Sequence, residues 1–453
     1  MAHDPDAVPR PLRAGRPAGA LTGRFGVPGD KSISHRALMF GALAVGTTAI
    51  SGLLEGEDVL RTAAAMRALG ATVERLGEGS WRVAGRGVSG LAEPADVLDM
   101  GNSGTAARLL CGLLAGHPLF AVMTGDASLR RRPMLRVTEP LSATGALFWT
   151  REGGRLPLAV QGARHPLPLD YRLPVASAQV KSACLLAGLC APGTTRVVEP
   201  ERTRDHTENM LRHFGATVRV ADTAEGRVIE LEGQPELAAA PITVPGDPSS
   251  AAFPIAAALI VPGSRVTVAH VGLNPLRTGL FATLREMGAR LTVENARVEG
   301  GEPVGDLIAE YGPLSGVEVS PGRAPSMIDE YPVLAVLAAA ARGTTRMRGL
   351  AELRVKESDR LAATAAMLAA NGARVAIEGD DLVVEGMGEA AAVPGGGTVE
   401  THMDHRIAMS ALVMGLGARV PVVVDDSGFI DTSFPGFAAL LNRAAGGEAV
   451  GPL

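Results

Sequence analysis

One short pattern recurs along the chain and limits the folds that the chain can adopt. A helical stretch ends in Gly-Ala and is followed at once by residues typical of a β-strand. A glycine just after a helix is expected, because that position favours a left-handed backbone. The five clear copies, 70 to 84 residues apart, place this glycine at Gly70, Gly145, Gly215, Gly288 and Gly372. A weaker sixth copy covers residues 441–448. Self-similarity of this kind predicts a chain built from six similar units.

A second element recurs in step with the first. Alanine-rich helical stretches lead through a turn into short strand-like runs, which begin near Gly46, Gly193, Gly263 and Gly343. Each unit therefore carries two helices, each followed by a strand. The segments Val27-Pro-Gly-Asp-Lys-Ser and Val244-Pro-Gly-Asp-Pro-Ser form a longer echo, about three units apart.

These echoes predict an α/β fold of two similar domains with three units each. The predicted division is a disordered tail over residues 1–23, a first domain over 24–245 and a second domain over 246–453. Chain crossings near 24–28 and 243–247 would form a hinge between the domains. A single long α/β domain is the alternative, since the length of the chain also allows it.

Composition limits the functional classes. Charged residues make up 20% of the chain and hydrophobic residues 46%, as in globular proteins with a large core. The net charge of −5 argues against a nucleic-acid partner, and there is no apolar run long enough to predict a membrane span. The arginine-rich leader lacks the apolar stretch of a secretory signal. We therefore expect a cytoplasmic protein. A monomer is the expected oligomeric state, although no feature of the sequence decides it.

The three cysteines are not arranged for metal binding or disulfide formation. Cys111, Cys184 and Cys190 stand in alanine- and leucine-rich stretches, with no partner at metal-ligand spacing. We interpret them as buried hydrophobic residues in a reducing compartment. No metal is expected.

Lysine is rare in this chain. Of the 43 basic residues only Lys31, Lys181 and Lys356 are lysines, and the others are arginines. A lysine can lose its proton and act as an acid or a base, whereas arginine stays charged. The three lysines are therefore candidates for roles that arginine cannot fill.

Three motifs in the first half lead from a turn into an apolar helix. They are, in chain order, Pro28-Gly-Asp-Lys31-Ser32-Ile-Ser-His-Arg36, Gly101-Asn102-Ser-Gly104-Thr105 and Ser177-Ala178-Gln179-Val-Lys181. The start of a helix offers free N–H groups and a positive dipole end, which favour anions. Arg132, at the end of an arginine triplet, and Arg204 add guanidinium groups that match carboxylates and phosphates. Capped structural helices and a solvated charge run are the alternatives.

Charged motifs also precede apolar helices in the second half. They are Pro325-Ser-Met-Ile-Asp329-Glu330, Arg354-Val-Lys356-Glu357-Ser-Asp-Arg360 and Asp404-His405-Arg406. Each motif alone is explained by helix-dipole or surface ion-pair chemistry. Together with the first-half motifs, they indicate a small, multiply anionic substrate held by cations, with carboxylates and a lysine that move protons.

These segments occur together and in this order in one known family. From about residue 22 to residue 440 the chain closely resembles 5-enolpyruvylshikimate-3-phosphate synthase (EPSP synthase). The resemblance implies two domains of three βαβαββ units, an inside-out α/β barrel arrangement, which close around the substrates about a two-strand hinge. It implies transfer of the enolpyruvyl group of phosphoenolpyruvate to the 5-hydroxyl of shikimate 3-phosphate, on the route to chorismate and aromatic amino acids. No metal or organic cofactor is implied.

The resemblance also implies roles for individual residues. As catalytic residues it implies Asp329, which takes the proton of the 5-hydroxyl, and Lys31 or Glu357, which protonates the methylene carbon of phosphoenolpyruvate. The implied contacts with shikimate 3-phosphate are Ser32, Arg36, Ser177, Gln179 and Arg204, with Lys181 at its phosphate. The implied contacts with phosphoenolpyruvate are Asn102, Gly104, Arg132, Arg360 and Arg406, with Lys31 and Lys356 between the two substrates. Thr105 and Ala178 complete the predicted substrate-binding set.

The chain also departs from the family's patterns. Ser177-Ala-Gln-Val-Lys181 and Arg204-Asp-His-Thr-Glu208 resemble class II members, which tend to tolerate the inhibitor glyphosate. However, the class II Asn-x-Thr-Arg motif is Asn274-Pro-Leu-Arg277 here, and position 104 is glycine where some tolerant enzymes carry alanine. Thr432 stands where class I members have a lysine.

Two other functions compete with this interpretation. One is an enolpyruvyl transferase that acts on a UDP-amino sugar, although the catalytic cysteine loop of that family has no match among the three cysteines. The other is a non-catalytic anion-binding module, for which arginines would suffice. Lys31, Asp329 and Glu357 together argue against the module, because binding alone does not need the acids.

Overall fold

The computed structural model describes residues 8–390 and 393–453. The chain separates into two compact units. The first unit contains Gly29–Val244 and the short piece Glu299–Glu302; the second contains the described residues up to Pro28, Pro245–Val298 and Pro303–Leu453. The chain thus passes between the units after Pro28 and after Val244, and again on either side of the short piece Glu299–Glu302. That these crossings act as a hinge stays a prediction.

The described residues contain the following strands in chain order: β1 (Leu12–Ala14), β2 (Thr22–Phe25), β3 (Thr47–Ser51), β4 (Thr72–Gly77), β5 (Ser80–Ala84), β6 (Leu98–Asp99), β7 (Phe120–Thr124), β8 (Leu147–Arg151), β9 (Arg155–Gln161), β10 (Asp170–Arg172), β11 (Thr194–Glu199), β12 (Val218–Thr223), β13 (Gly226–Glu232), β14 (Ile242–Thr243), β15 (Arg265–Gly272), β16 (Arg290–Glu299), β17 (Glu302–Glu310), β18 (Glu318–Val319), β19 (Arg342–Met347), β20 (Arg374–Glu378), β21 (Asp381–Met387), β22 (Thr398–Val399), β23 (Val422–Val424) and β24 (Val450–Pro452).

The α-helices of the described residues are α1 (Lys31–Leu43), α2 (Glu57–Ala68), α3 (Gly104–Ala115), α4 (Leu135–Ser142), α5 (Ala178–Gly188), α6 (His206–His213), α7 (Pro248–Ile260), α8 (Gly279–Glu286), α9 (Tyr331–Ala340), α10 (Arg360–Ala370), α11 (His405–Gly417) and α12 (Phe437–Ala445). None of them is both long and apolar enough to cross a membrane.

Three four-stranded sheets lie in each unit, within the described part of the chain. Their spatial orders in the first unit are β14-β3-β5-β4, β6-β7-β9-β8 and β10-β11-β13-β12. In the second unit they are β2-β15-β17-β16, β18-β19-β21-β20 and β22-β23-β1-β24. The first pair of each sheet is parallel. In four sheets the two strands are joined through a helix, as expected for parallel neighbours, namely β6-β7, β10-β11, β18-β19 and β22-β23. The predicted α/β fold of six βαβαββ units is confirmed.

The predicted disordered tail is wrong where the structure describes it. Leu12–Ala14 forms the central strand β1, which pairs antiparallel with both β23 and β24. Thr22–Phe25 likewise pairs with β15. The partners of both strands lie hundreds of residues away, so the local composition of the leader did not reveal them. Residues 1–7 lie outside the described residues.

The repeated glycines end helices as predicted. Gly70, Gly145, Gly215, Gly288 and Gly372 all have positive φ, between 77° and 95°. Gly446, in the weaker sixth copy, has a φ of 65° after α12. A side chain is strained in this conformation, so glycine fits the turn from helix to strand.

Each unit has its own hydrophobic core, built around three alanine-rich helices. In the second unit every residue of α7 and α9 is buried. In the first unit α3 packs so closely on α5 that a Cβ at Gly112 would overlap the backbone of Ala183. Both sets of buried helices begin at the charged motifs found in the sequence. The fold therefore presents those motifs at the starts of its most buried helices.

Candidate functional site

The first-unit candidate residues collect at the starts of α1, α3 and α5. Asp30 caps α1 by accepting a hydrogen bond from the Ile33 amide at 2.9 Å. Lys31 follows the cap and forms an ion pair with Asp58 of α2. The Lys31 side chain keeps 19% of its surface exposed, whereas Asp58 is buried. A partly exposed ammonium therefore stands at a helix start, which suits anion binding. Sequence reasoning missed Asp58, whose acidic neighbour in the first helical turn offered only an ordinary helix-start signal.

Arg36 lies one turn further along α1 and is 4% exposed. Its Nε donates to Thr207 Oγ1 at 2.7 Å and its Nη2 to Ser182 Oγ at 2.7 Å, while Nη1 donates to the Ser32 carbonyl at 2.9 Å. Burial lowers the pKa of Arg36 to about 10, although nearby carboxylates, Glu208 first, oppose that shift. Its guanidinium is thus held rigidly by hydroxyl groups of α5 and α6.

His35, beside Arg36, is fully buried. Its Nδ1 lies 2.7 Å from Thr62 Oγ1. Burial, and then the positive charges of Lys31 and Arg36, hold the pKa of His35 well below its ordinary value. The α1 start therefore carries two cations and a histidine that stays neutral.

At the start of α3, Asn102 and Arg132 hold each other. Arg132 Nη2 donates to Asn102 Oδ1 at 2.7 Å, and Asn102 Nδ2 donates to Asp126 Oδ2 at 2.6 Å. A Cβ at Gly104 would lie 2.9 Å from Arg132 Nη1 and 3.0 Å from Arg108 Nη1. Glycine at this position therefore leaves room for two guanidinium groups beside the helix start.

A further arginine joins α3 to α5. Arg108 Nη1 donates to Gln179 Oε1 at 2.8 Å, and Gln179 Nε2 donates to Thr105 Oγ1 at 3.1 Å. Ser177 caps α5 by accepting from the Val180 amide at 3.4 Å. Sequence reasoning did not select Arg108 as a site residue, although a lone arginine in an otherwise apolar helix was a usable signal. Ala178 and Arg204 are both half-buried in the same unit.

Lys181 is buried, unlike this accessible set, and its contact with the phosphate of shikimate 3-phosphate stays a prediction. Its side chain has no exposed surface and pairs with Glu208 at 2.8 Å and Glu199 at 3.1 Å. Its ammonium also donates to the Thr203 carbonyl at 3.3 Å. Within this structure the charge of Lys181 is therefore balanced by two buried carboxylates.

In the second unit, Arg360 binds three carboxylates at the start of α10. Arg360 is fully buried; its Nε donates to Asp404 Oδ2 at 2.9 Å, its Nη1 to Asp329 Oδ1 at 3.1 Å and its Nη2 to Glu357. Burial alone would lower the pKa of Arg360, but the carboxylates of Asp404, Glu357 and Asp329 outweigh it and raise the pKa. The structure therefore brings together three predicted residues, Asp329, Glu357 and Arg360. The third carboxylate at Arg360 belongs to Asp404, which sequence reasoning named only as part of a motif.

Lys356 and Arg406 contrast with this saturated arginine. Burial lowers the pKa of Lys356, although the nearby carboxylates of Asp329 and Glu352 oppose the shift. Arg406, on the first turn of α11, is 8% exposed, and its guanidinium makes no hydrogen bond or ion pair to any described residue. The second unit therefore holds a lysine that loses its proton more readily than usual and an arginine that no residue in the described part of the chain neutralises.

The structure shows the surroundings of two of the three departures from the class patterns. Arg277 is buried and bonds to Asp247 and Ser249, each at 3.0 Å, so it serves the interior of the second unit. Thr432 donates its hydroxyl to the Phe429 carbonyl at 2.6 Å. Neither position supplies a free cation in this structure. No cluster of residues suited to a metal ion exists among the described residues.

Comparison with known proteins identifies one family. A sequence profile of EPSP synthase (3-phosphoshikimate 1-carboxyvinyltransferase) matches residues 16–441. The 3-phosphoshikimate 1-carboxyvinyltransferase of Acidiphilium cryptum is 70% identical over 435 residues, which cover 96% of this chain and 97% of the relative. The solved EPSP synthase of Acinetobacter baumannii has a TM-score of 0.87 and 45% identity, over 98% of this chain and 99% of that one. The enolpyruvyl transferase NikO of Streptomyces tendae, at 19% identity and a TM-score of 0.75 over 98% and 99% of the chains, shares the fold.

Proposed function

Because the chain belongs to the EPSP synthase (3-phosphoshikimate 1-carboxyvinyltransferase) family, we propose that it transfers the enolpyruvyl group of phosphoenolpyruvate to the 5-hydroxyl of shikimate 3-phosphate. Phosphate is released, and the product leads to chorismate and the aromatic amino acids. The observation that carries the chemistry is the cluster in the second unit. There Arg360 holds Asp329 and Glu357, and burial lowers the pKa of Lys356 nearby. Pure anion binding does not need such a proton-transferring set.

The proposed reaction is an addition followed by an elimination. Asp329 takes the proton of the 5-hydroxyl while that oxygen bonds to the central carbon of phosphoenolpyruvate. Lys31 or Glu357 supplies a proton to the methylene carbon, which gives a tetrahedral ketal phosphate. The bond from the central carbon to the phosphate oxygen then breaks, and the methyl carbon returns a proton. In these reaction steps the protons move through side chains that can exchange them, and fixed arginines stabilise the negative charge of the substrates.

The proposed binding roles follow the polar and charged groups at or near the helix starts. Ser32, Ser177 and Gln179 offer hydroxyl and amide groups to shikimate 3-phosphate, and Arg36 and Arg204 offer positive charge. For phosphoenolpyruvate the proposed contacts are Asn102, Gly104, Thr105, Arg132, Arg360 and Arg406, with Lys31 and Lys356 at both substrates. Arg406 is the best supported of these, because no described residue neutralises its charge. We further propose that the enzyme works in the cytoplasm as a monomer.

The rival transfer to a UDP-amino sugar is disfavoured by the cysteines. Burial raises the pKa of Cys111, Cys184 and Cys190 to about 12. All three side chains are buried in the first unit. A cysteine in such surroundings is a poor acid or nucleophile.

Phosphate release tests the proposal. Purified enzyme should release phosphate only when shikimate 3-phosphate and phosphoenolpyruvate are both present. Release with a UDP-amino sugar in place of shikimate 3-phosphate would favour the rival enzyme. Binding of either substrate without any release would favour the non-catalytic module.

A further inference from the structure

A buried polar network lies beside the predicted base in the second unit. Four side chains, each at most 5% exposed, meet where α7 and α9 begin: Asp247, Ser249, Arg277 and Glu330. Two of them belong to motifs that the proposed reaction leaves without a role, the Val-Pro-Gly-Asp turn and the Asn-Pro-Leu-Arg segment. The network therefore needs its own explanation.

The contacts form a continuous chain. Arg277 Nη2 donates to Asp247 Oδ1 and to Ser249 Oγ, both at 3.0 Å. The Ser249 hydroxyl donates in turn to the Glu330 carboxylate. Asp247 Oδ1 also accepts from the Ser249 amide at 2.7 Å, which fixes the start of α7. The Glu330 carboxylate is thus attached to a rigid helix start.

Glu330 passes this constraint to Asp329. Its amide donates to the Met327 carbonyl at 3.0 Å, and its carbonyl accepts from the Leu334 amide at 3.0 Å as α9 begins. Asp329 is joined to it by one peptide bond and is held on its other side by Arg360 at 3.1 Å. The backbone of Asp329 and its carboxylate are therefore fixed from two directions.

We propose that Glu330 is a positioning residue, which holds the peptide of Asp329 so that its carboxylate meets the substrate hydroxyl. This inference rests on the proposed function, in which Asp329 is the base. A buried charge network is a weak source of stability, because apolar side chains of similar volume are often as stable. Precise placement of a reacting group is worth far more, since a small misplacement lowers the rate strongly.

The test compares single-turnover rates of variants made in the wild-type enzyme and in the Asp329→Asn enzyme. Glu330→Gln keeps the shape of the side chain and removes its charge, and Ser249→Ala removes the hydroxyl that holds it. We expect each to lower the rate of the chemical step about 10-fold to 100-fold while KM for both substrates changes by less than about threefold. Ser249→Thr, which restores the hydroxyl, should recover much of the loss.

The second background is Asp329→Asn, in which the base is already absent. If Glu330 acts through Asp329, adding Glu330→Gln there should lower the residual rate by less than about twofold, because the two effects are not additive. Equal fold losses in both backgrounds would overturn the proposal, as would a raised KM with an unchanged rate. The matched control is Glu286→Gln, which breaks an exposed ion pair with Arg323 in the same unit and should leave the rate unchanged.

Outcomes for the inference and for the proposed function are distinguishable. No turnover by the wild-type enzyme would contradict the proposed function before any variant is compared. Normal turnover by the wild-type enzyme, together with additive effects of Glu330→Gln and Asp329→Asn on the rate, contradicts only the positioning role. If Glu330→Gln fails to fold, as judged by circular dichroism, Ser249→Ala and Ser249→Thr decide the question on the same measurements.

Discussion

Two helices of this molecule begin with the same cap, but the residues that follow the cap have different surroundings. Both α1 and α7 follow the sequence Val-Pro-Gly-Asp, and in both the aspartate caps the helix. Asp30 accepts from the Ile33 amide and Asp247 from the Ser249 amide. The two backbones are also alike, since the caps have φ and ψ near −56° and 121° for Asp30 and −67° and 123° for Asp247.

The helices differ in the residues that follow the cap. Counting from each aspartate, the positions of Lys31, His35 and Arg36 in α1 are occupied in α7 by proline, alanine and phenylalanine, namely Pro248, Ala252 and Phe253. Every residue of α7 is buried, whereas Lys31 is partly exposed. The repeat therefore supplies a capped helix start, and a few substitutions decide whether that start carries a partly exposed cation or only buried residues.

The largest predicted effect is on the interior-facing start. Asp247→Ala removes both the cap of α7 and the buried partner of Arg277. We expect a loss of about 3–5 kcal/mol in the free energy of unfolding, because removing one partner of a buried ion pair is strongly destabilising. Denaturant unfolding checks this. The control is Asp359→Ala, which removes a more exposed cap on α10 and should cost about 1 kcal/mol. Equal losses would contradict the contrast.

Lys31→Arg tests the start of α1, where the proposed substrates would bind. The charge is kept, but arginine cannot release a proton. If Lys31 is the acid, kcat should fall about 100-fold or more in steady-state phosphate release. Arg75→Lys, at a surface ion pair with Glu55, is the matched control and should keep its rate. Near-normal turnover in Lys31→Arg would remove Lys31 from the proton transfers.

Gly104→Ala extends the comparison to the start of α3. The added Cβ would lie 2.9 Å from Arg132 Nη1, so the guanidinium must shift. We expect KM for phosphoenolpyruvate to rise about 10-fold, equivalent to about 1.4 kcal/mol, with a smaller change in kcat. A glyphosate titration of the same variant would show whether the inhibitor is crowded as well. Gly77→Ala, where a Cβ meets open space, should leave KM unchanged. An unaltered KM in Gly104→Ala would place phosphoenolpyruvate elsewhere.

The smallest effect concerns His35, which α7 replaces with alanine. Burial, Lys31 and Arg36 lower the pKa of His35 in the folded state, so the unfolded chain takes up the proton first as pH falls. The contribution of His35 to the free energy of unfolding is therefore complete above a pH of about 6.5. The free energy should drop by about 1 kcal/mol by a pH of about 5.5. His35→Ala should remove this part of the pH dependence in urea unfolding. If the free energy of unfolding depends on pH in the same way in His35→Ala, this pH dependence belongs to other groups.

The contrast also explains what the sequence could predict. The repeated helix ends and starts are local, so the glycines, the caps and most motif residues were identifiable from short segments. The ion-pair partners of Lys181 were not, because Glu199 and Glu208 lie on a strand and a helix that follow later in the chain. The strand Leu12–Ala14 was missed for the same reason. Its partners β23 and β24 stand at the other end of the chain.

The fate of the bridging oxygen of phosphoenolpyruvate tests the central claim most directly. This oxygen joins the central carbon to phosphorus and can be labelled with a heavy isotope. Addition–elimination breaks the bond between carbon and oxygen, so after turnover with shikimate 3-phosphate the label should appear in the released phosphate by phosphorus NMR. Label that stays with the three-carbon product would mean that the bond between phosphorus and oxygen breaks, and would contradict enolpyruvyl transfer.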